Sequence, residues 1–222
     1  DLFKITIIYS IISTLILLYY SGSIGKKLKI IDEPSKINIH KTPVPLVGGF
    51  LYLNIFFSII LFEFLSGKIS FLLFFSLLFS LIIFFLIGFY DDRNSIKGSK
   101  RTILFLFSSL FFVLSLQNSF DLTKIFFKFG ATLNFGYWNI IFYALCITGL
   151  QIVLNLIDGV NGLLKIYFLT FLFLFEKYLV GYLSLFSIAF FPATILILIF
   201  NFKNKVFLGS SGNSILTLIL SF

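Results

Sequence analysis

The chain has 222 residues, of which 59% are hydrophobic, 20% aromatic and only 12% charged, and its mean hydropathy of +1.08 excludes a soluble globular domain. A net charge of +8 would point to nucleic acid in a soluble protein, but here Lys and Arg in membrane loops account for most of it, and no nucleic-acid partner is expected. A single cysteine, Cys146, and a single histidine, His40, exclude an intramolecular disulfide and a His-rich zinc site within the chain.

Apolar stretches of about 18 or more residues predict an all-α, polytopic membrane protein with about eight spans. No ten-residue alternation of barrel type is visible. Met is absent, even at position 1, and Phe222 ends inside an apolar run. Residues 1–222 are therefore expected to be one integral-membrane domain, truncated at both ends.

In chain order, the first span covers Leu2 to Tyr20 and is expected to close at Ser21-Gly22-Ser23. A polar loop from Lys26 to Gly49 follows, with Asp32-Glu33-Pro34, His40-Lys41, Pro43, Pro45 and Gly48-Gly49. Span two runs from Phe50 to Leu65, with Glu63 expected to snorkel to the outer interface. Span three, Phe71 to Tyr90, delivers Asp91 and Asp92 to the head of a basic loop, and span four is Thr102 to Leu116. The segment from Gln117 to Trp138 reads as interfacial. Span five, Asn139 to Leu154, ends in the nonapeptide Asn155 to Leu163; span six runs to Phe175 and span seven from Tyr182 to Phe200. Gly209-Ser210-Ser211-Gly212-Asn213 opens the eighth.

This parity puts the loops of His40, Asp91/Asp92, Asp158 and Gly209 on one face, with twelve of the 17 Lys and Arg and five opposite. The bias assigns that face to the cytoplasm.

Two adjacent carboxylates at the end of an apolar helix oppose the macrodipole and suffer desolvation. A cation such as Mg²⁺ would offset both, since it favours one or two carboxylates plus phosphate oxygens. The plainer reading is a water-facing loop neutralised by Arg93, Lys97, Lys100 and Arg101. Asn155 and Asp158, three apart, share a helix face, and Gly159 and Gly162 permit a close ligand or end the helix. Prolines stiffen the loop around His40. A Ser-His-Asp hydrolase has no support, because the one histidine has no identifiable partner.

The order Asp-x-Pro…His-Lys-x-Pro-x-Pro-x-x-Gly-Gly, Gly-x-x-Asp-Asp-Arg, Asn-Leu-Ile-Asp-Gly-x-Asn-Gly-Leu and Phe-Leu-Gly-x-x-Gly resembles the polyprenyl-phosphate N-acetylhexosamine-1-phosphate transferases. The resemblance covers Asp32 to Asn213. Near Asp158 the wording is closer to the GlcNAc-type branch of lipopolysaccharide and capsule synthesis than to the peptidoglycan branch.

The resemblance implies a multi-pass transferase of the bacterial inner membrane with its site facing the cytoplasm. It would take a UDP-N-acetylhexosamine and a polyprenyl phosphate, require Mg²⁺ or Mn²⁺, release UMP and form a homodimer. It implies catalytic roles for Asp91, Asp92 and Asp158, substrate contacts from His40, Lys41, Arg101, Asn155 and Asn161, and metal contacts from Asp91 and Asp158. The family's metal-binding Asp in Gly-Asp-x-Gly-Ser falls at position 210, where this chain has Ser210. A hydroxyl is a weaker Mg²⁺ ligand than a carboxylate, so a non-catalytic paralogue is the first alternative. A transporter using intramembrane acids is the second.

Overall fold

The computed structural model describes residues 2–34, 41–117, 122, 124–126, 132–134, 136–159, 162–175 and 184–221. The described residues form a helical membrane protein with two small antiparallel ladders. The order is α1 (Leu2–Tyr19), α2 (Ser21–Leu28), β1 (Ile31–Asp32), β2 (Val44–Pro45), α3 (Gly48–Leu65), α4 (Phe71–Asn94), α5 (Gly98–Leu116), β3 (Lys124–Phe126), β4 (Thr132–Asn134), α6 (Trp138–Ile157), α7 (Leu163–Phe175), α8 (Ser184–Phe202) and α9 (Gly209–Leu220).

Among these, α3, α4, α5 and α6 are long and apolar enough to cross a bilayer, and a fifth span results if α1 and α2 count together. Eight full spans are not reached by the described helices.

Several boundaries differ from the sequence expectation. The first helix ends at Tyr19, as expected, but Ser21-Gly22-Ser23 is not a turn: after a 61° bend it opens α2. The Ser21 hydroxyl returns to the Leu18 carbonyl, which satisfies a group freed by the bend. Part of the polar loop is ordered as β1 and β2, with Ile31 opposite Pro45 and Asp32 opposite Val44. The segment read as interfacial carries the β3–β4 hairpin.

Glu63 does not snorkel. It is 2% exposed, with Lys68 at 3.3 Å, because the helix end folds Lys68 back over it. Helix α4 starts under a Ser70 side-chain cap and runs on through Asn94, where Ser95 turns left-handed at φ 48°. Asp91 and Asp92 thus lie in its last turn rather than in a loop.

The core is built around α9, buried from Ser211 to Ile219 although it carries Ser211, Asn213, Ser214 and Thr217. Apolar burial gives little drive inside a bilayer, so close backbone approach and interhelical hydrogen bonds do more of the holding. A Cβ on Gly88 of α4 would come within 2.5 Å of the Ser210 carbonyl and the Ser211 Cα. A Cβ on Gly48 of α3 would come equally close to the Leu208 Cα. Gln151 of α6 bonds Thr217, and Ser214 lies 3.5 Å from its amide nitrogen. On the far side of α3, Tyr52 meets Phe168 of α7 and Phe190 of α8 at ring distances of 5.8 and 6.0 Å.

The entry to α9 is fixed by backbone. Phe207 N–H donates to the Pro45 carbonyl at 3.0 Å, and Gly48 N–H donates to the Phe207 carbonyl at 3.1 Å. The starts of α3 and α9 therefore lie side by side.

Candidate active site

Asp91 and Asp92 are consecutive, so they leave α4 about 100° apart and meet different partners. Asp92 points into the first turn of α9. Its Oδ1 accepts from the Ser210 N–H at 2.6 Å, and its Oδ2 accepts from the Ser211 N–H at 3.0 Å and the Ser211 hydroxyl at 2.6 Å. Helix N-termini leave such N–H groups unpaired and favour an anion there. The cap of α9 is thus a carboxylate from another helix. Gly209 makes the approach feasible, since it sits at φ +75° and a Cβ there would come within 2.8 Å of Asp92 Oδ2.

Asp91 is 7% exposed. Its Oδ1 accepts from the Ile96 N–H at 2.8 Å; its Oδ2 accepts from Arg101 Nη1 at 2.7 Å and the Ser210 hydroxyl at 2.6 Å. Arg101 keeps 30% of its side chain exposed. It lines a cleft of about 180 Å³ between α5 and α6, with Asn155 and Gln151 as further polar lining and Phe105 and Ile152 as apolar lining.

On the other side of α9, Asn213 Nδ2 donates to Asn155 Oδ1 at 2.9 Å and to Asp158 Oδ2 at 3.3 Å. One amide touching both residues places Asn155 and Asp158 on a common face. Lys165, from the first turn of α7, is 1% exposed and donates to Asp158 Oδ1 at 3.0 Å. Five helices therefore bring Asp91, Asp92, Arg101, Asn155, Asp158, Lys165, Ser210 and Asn213 into one linked cluster. Lys41 is exposed in the loop before β2, while His40 and Asn161 lie outside the described residues.

Sequence reasoning missed Lys165, counting it only as a loop charge, and quoted Ser211 and Asn213 only as motif letters. A lysine in the first turn of an otherwise apolar α7 was the available signal, as was Gln151 one helical turn before Asn155.

The chemistry of this donor set bears on Mg²⁺. Asp91 is engaged by Arg101, Asp92 by the α9 backbone and Asp158 by Lys165, while position 210 offers a hydroxyl already donated to Asp91. Among the described residues no group of three His, Cys, Asp or Glu side chains could hold a metal ion. These residues, as arranged, do not fit an ion held by the protein alone.

Glycosyl transferase family 4 matches residues 74–222, two thirds of the chain. The chain belongs to this family. Among its relatives is the phospho-N-acetylmuramoyl-pentapeptide-transferase of Wolbachia pipientis wMel, 32% identical over 200 residues that cover 81% of this chain and 59% of that protein. The enzyme of the same name from Thermotoga petrophila is 32% identical over 157 residues, covering 67% of this chain and 47% of that protein. The one from Streptococcus pneumoniae D39 is 27% identical over 200 residues, with 82% and 59% covered. The chain thus spans about half the length of the curated relatives it matches. All three carry that name, whereas the segment around Asp158 led to an expectation of the GlcNAc-type branch.

Proposed function

We propose that the protein transfers an N-acetylhexosamine 1-phosphate from a UDP-sugar to a polyprenyl phosphate at the cytoplasmic face of the bacterial inner membrane. An oxygen of the lipid phosphate attacks the sugar-bearing phosphorus, the bond to the bridging oxygen breaks, and UMP leaves. The product is a lipid-linked diphosphosugar. The observation that carries this reading is the linked cluster itself. A family motif from each of α4, α6 and α9 meets the others, and the partly exposed Arg101 opens on a cleft lined by Thr102, Thr148, Gln151 and Asn155 beside Phe105 and Ile152.

The polar groups around Arg101 suit a phosphate. Arg101 binds the lipid phosphate through charge-assisted hydrogen bonds and leaves Asp91 as it does so. Asp91, freed from its cation, then orients or takes the proton of that phosphate. Asn155 and Asp158 line the nucleotide-sugar side, and the family motifs give substrate contacts to His40, Lys41 and Asn161. Positioning and fixed charge carry the acceleration, as in other phosphoryl transfers, and the cations used here are Arg101 and Lys165.

The experiment is UMP release by the purified full-length protein in detergent, given undecaprenyl phosphate with either UDP-GlcNAc or UDP-MurNAc-pentapeptide. Lipid-dependent UMP from one donor supports the reading and chooses the branch. The absence of UMP from both, in a folded protein, refutes it. The hydroxyl at Ser210 favours one second reading, a non-catalytic paralogue, which that negative result would leave standing. Orientation is checked separately: a cysteine at position 95 should be labelled only from the cytoplasm, and one at position 68 only from the periplasm.

A further inference from the structure

The carboxylate on α6 was expected to help hold a divalent ion, yet it is already engaged. Lys165 Nζ lies 3.0 Å from Asp158 Oδ1, and the lysine is 1% exposed. Asp158 keeps 16% of its side chain exposed, so the contact has a wet side and a dry side, and the ammonium is on the dry one. Burying an ammonium costs several kcal/mol, and it persists only where a partner offsets that cost. On its other oxygen, Asp158 is held by the Asn213 amide, which also holds Asn155.

The second observation is across α9. Where the family pattern has a carboxylate, Ser210 presents a hydroxyl, and that hydroxyl is donated to Asp91 rather than free to ligate. One negative charge is absent at position 210, and one positive charge stands on Asp158.

We propose that Lys165 is the resident cation of this site, occupying at Asp158 the place a divalent ion would take. The ammonium neutralises Asp158 from the protein's side, so a diphosphate on the wet side meets a neutral pair rather than a bare carboxylate. With Lys165 in place the protein alone has no tight divalent-ion site. Removal of the ammonium uncovers one, built from the oxygens of Asp158 and Asn155, beside Asn213, whose side-chain Oδ1 is buried and without a hydrogen-bond partner. What the charge is used for rests on the transferase reading; the exclusion of the ion does not.

Mn²⁺ is the probe, since its free six-line electron paramagnetic resonance signal falls as it binds protein. The full-length protein in detergent is titrated as wild type, Lys165→Gln, Lys165→Met, Lys165→Arg and Asp158→Asn. Gln keeps a hydrogen bond to Asp158 and guards against loss of folding in the Met variant. Expected is weak binding by wild type and Lys165→Arg, and at least tenfold tighter binding once the charge is removed, in Gln or Met. Tight binding by wild type that Asp158→Asn abolishes would overturn the proposal. So would charge-removed variants that fold and bind Mn²⁺ no better than wild type. The titration needs no turnover, so an inactive wild type sinks the transferase reading and leaves the ion comparison to be judged by itself.

Discussion

The carboxylates at the end of α4 and the carboxylate at the end of α6 are held by different kinds of partner. Asp92 is held by two backbone N–H groups and a hydroxyl, all in one turn of α9, and neither N–H can leave without undoing that turn. Asp158 is held by two buried side chains from two helices, Lys165 and Asn213. Asp91, next to Asp92, differs from both, because Arg101 is a long and partly exposed partner. The cluster therefore has a fixed joint at Asp92, a buried ion pair at Asp158 and one exchangeable contact at Asp91. A phosphate can compete for the arginine; it has no comparable way to displace a helix N-terminus or reach the buried lysine.

The largest effect expected is on the α6 side. Asp158→Ala leaves Lys165 buried without a counter-charge and should cost about 3–5 kcal/mol of stability. Asp158→Ala with Lys165→Met should recover most of that, because the pair is then replaced rather than broken. Denaturant unfolding of the full-length protein in detergent measures both, and an additive loss in the double variant would break the side of the comparison that treats this pair as a unit.

Next is the fixed joint. Asp92→Ala orphans two N–H groups and a hydroxyl and should cost about 2–3 kcal/mol, read from the same unfolding curves. Gly88→Ala attacks the same joint from the packing side and should cost about 2 kcal/mol, because the added methyl meets backbone of α9 that has little room to yield. Wild-type stability for Gly88→Ala would show that the α4–α9 contact is looser than these distances imply.

How much of this was legible beforehand follows the same division. The Asp pair, the Asn155–Asp158 spacing and the helical membrane class could be read from short-range pattern, and α3 to α6 fall within a few residues of the predicted spans. The polar loop with its β1–β2 ladder was not legible, because its pairing of Ile31 with Pro45 links residues far apart in sequence. Neither was the job of Asp92, since nothing in its neighbours says that a helix starting more than a hundred residues later will seek a cap. Glu63 and Lys165 were misjudged for one reason. Charge in an apolar sequence was taken to face water, but each has a counter-charge within seven residues that makes burial tolerable.

A smaller effect should appear in rate. With Arg101 an exchangeable partner, Asp91→Asn should lower UMP release at least about tenfold, or about 1.4 kcal/mol in the barrier. The variant keeps an acceptor for the Ile96 N–H, and its NH2 can donate to the Ser210 hydroxyl in turn. Turnover equal to wild type would leave Asp91 as a loop-neutralising charge and nothing more.

The contrast between neighbouring positions is tested most directly by Asp91→Asn and Asp92→Asn, melted side by side in one detergent. Each change removes one charge and alters size little, so any difference reports the partners. A fixed joint at Asp92 and an exchangeable contact at Asp91 predict that Asp92→Asn melts several degrees below Asp91→Asn, since about 1 kcal/mol shifts a midpoint by roughly 2–4 °C at this size. Equal melting, or the lower midpoint at position 91, would contradict it.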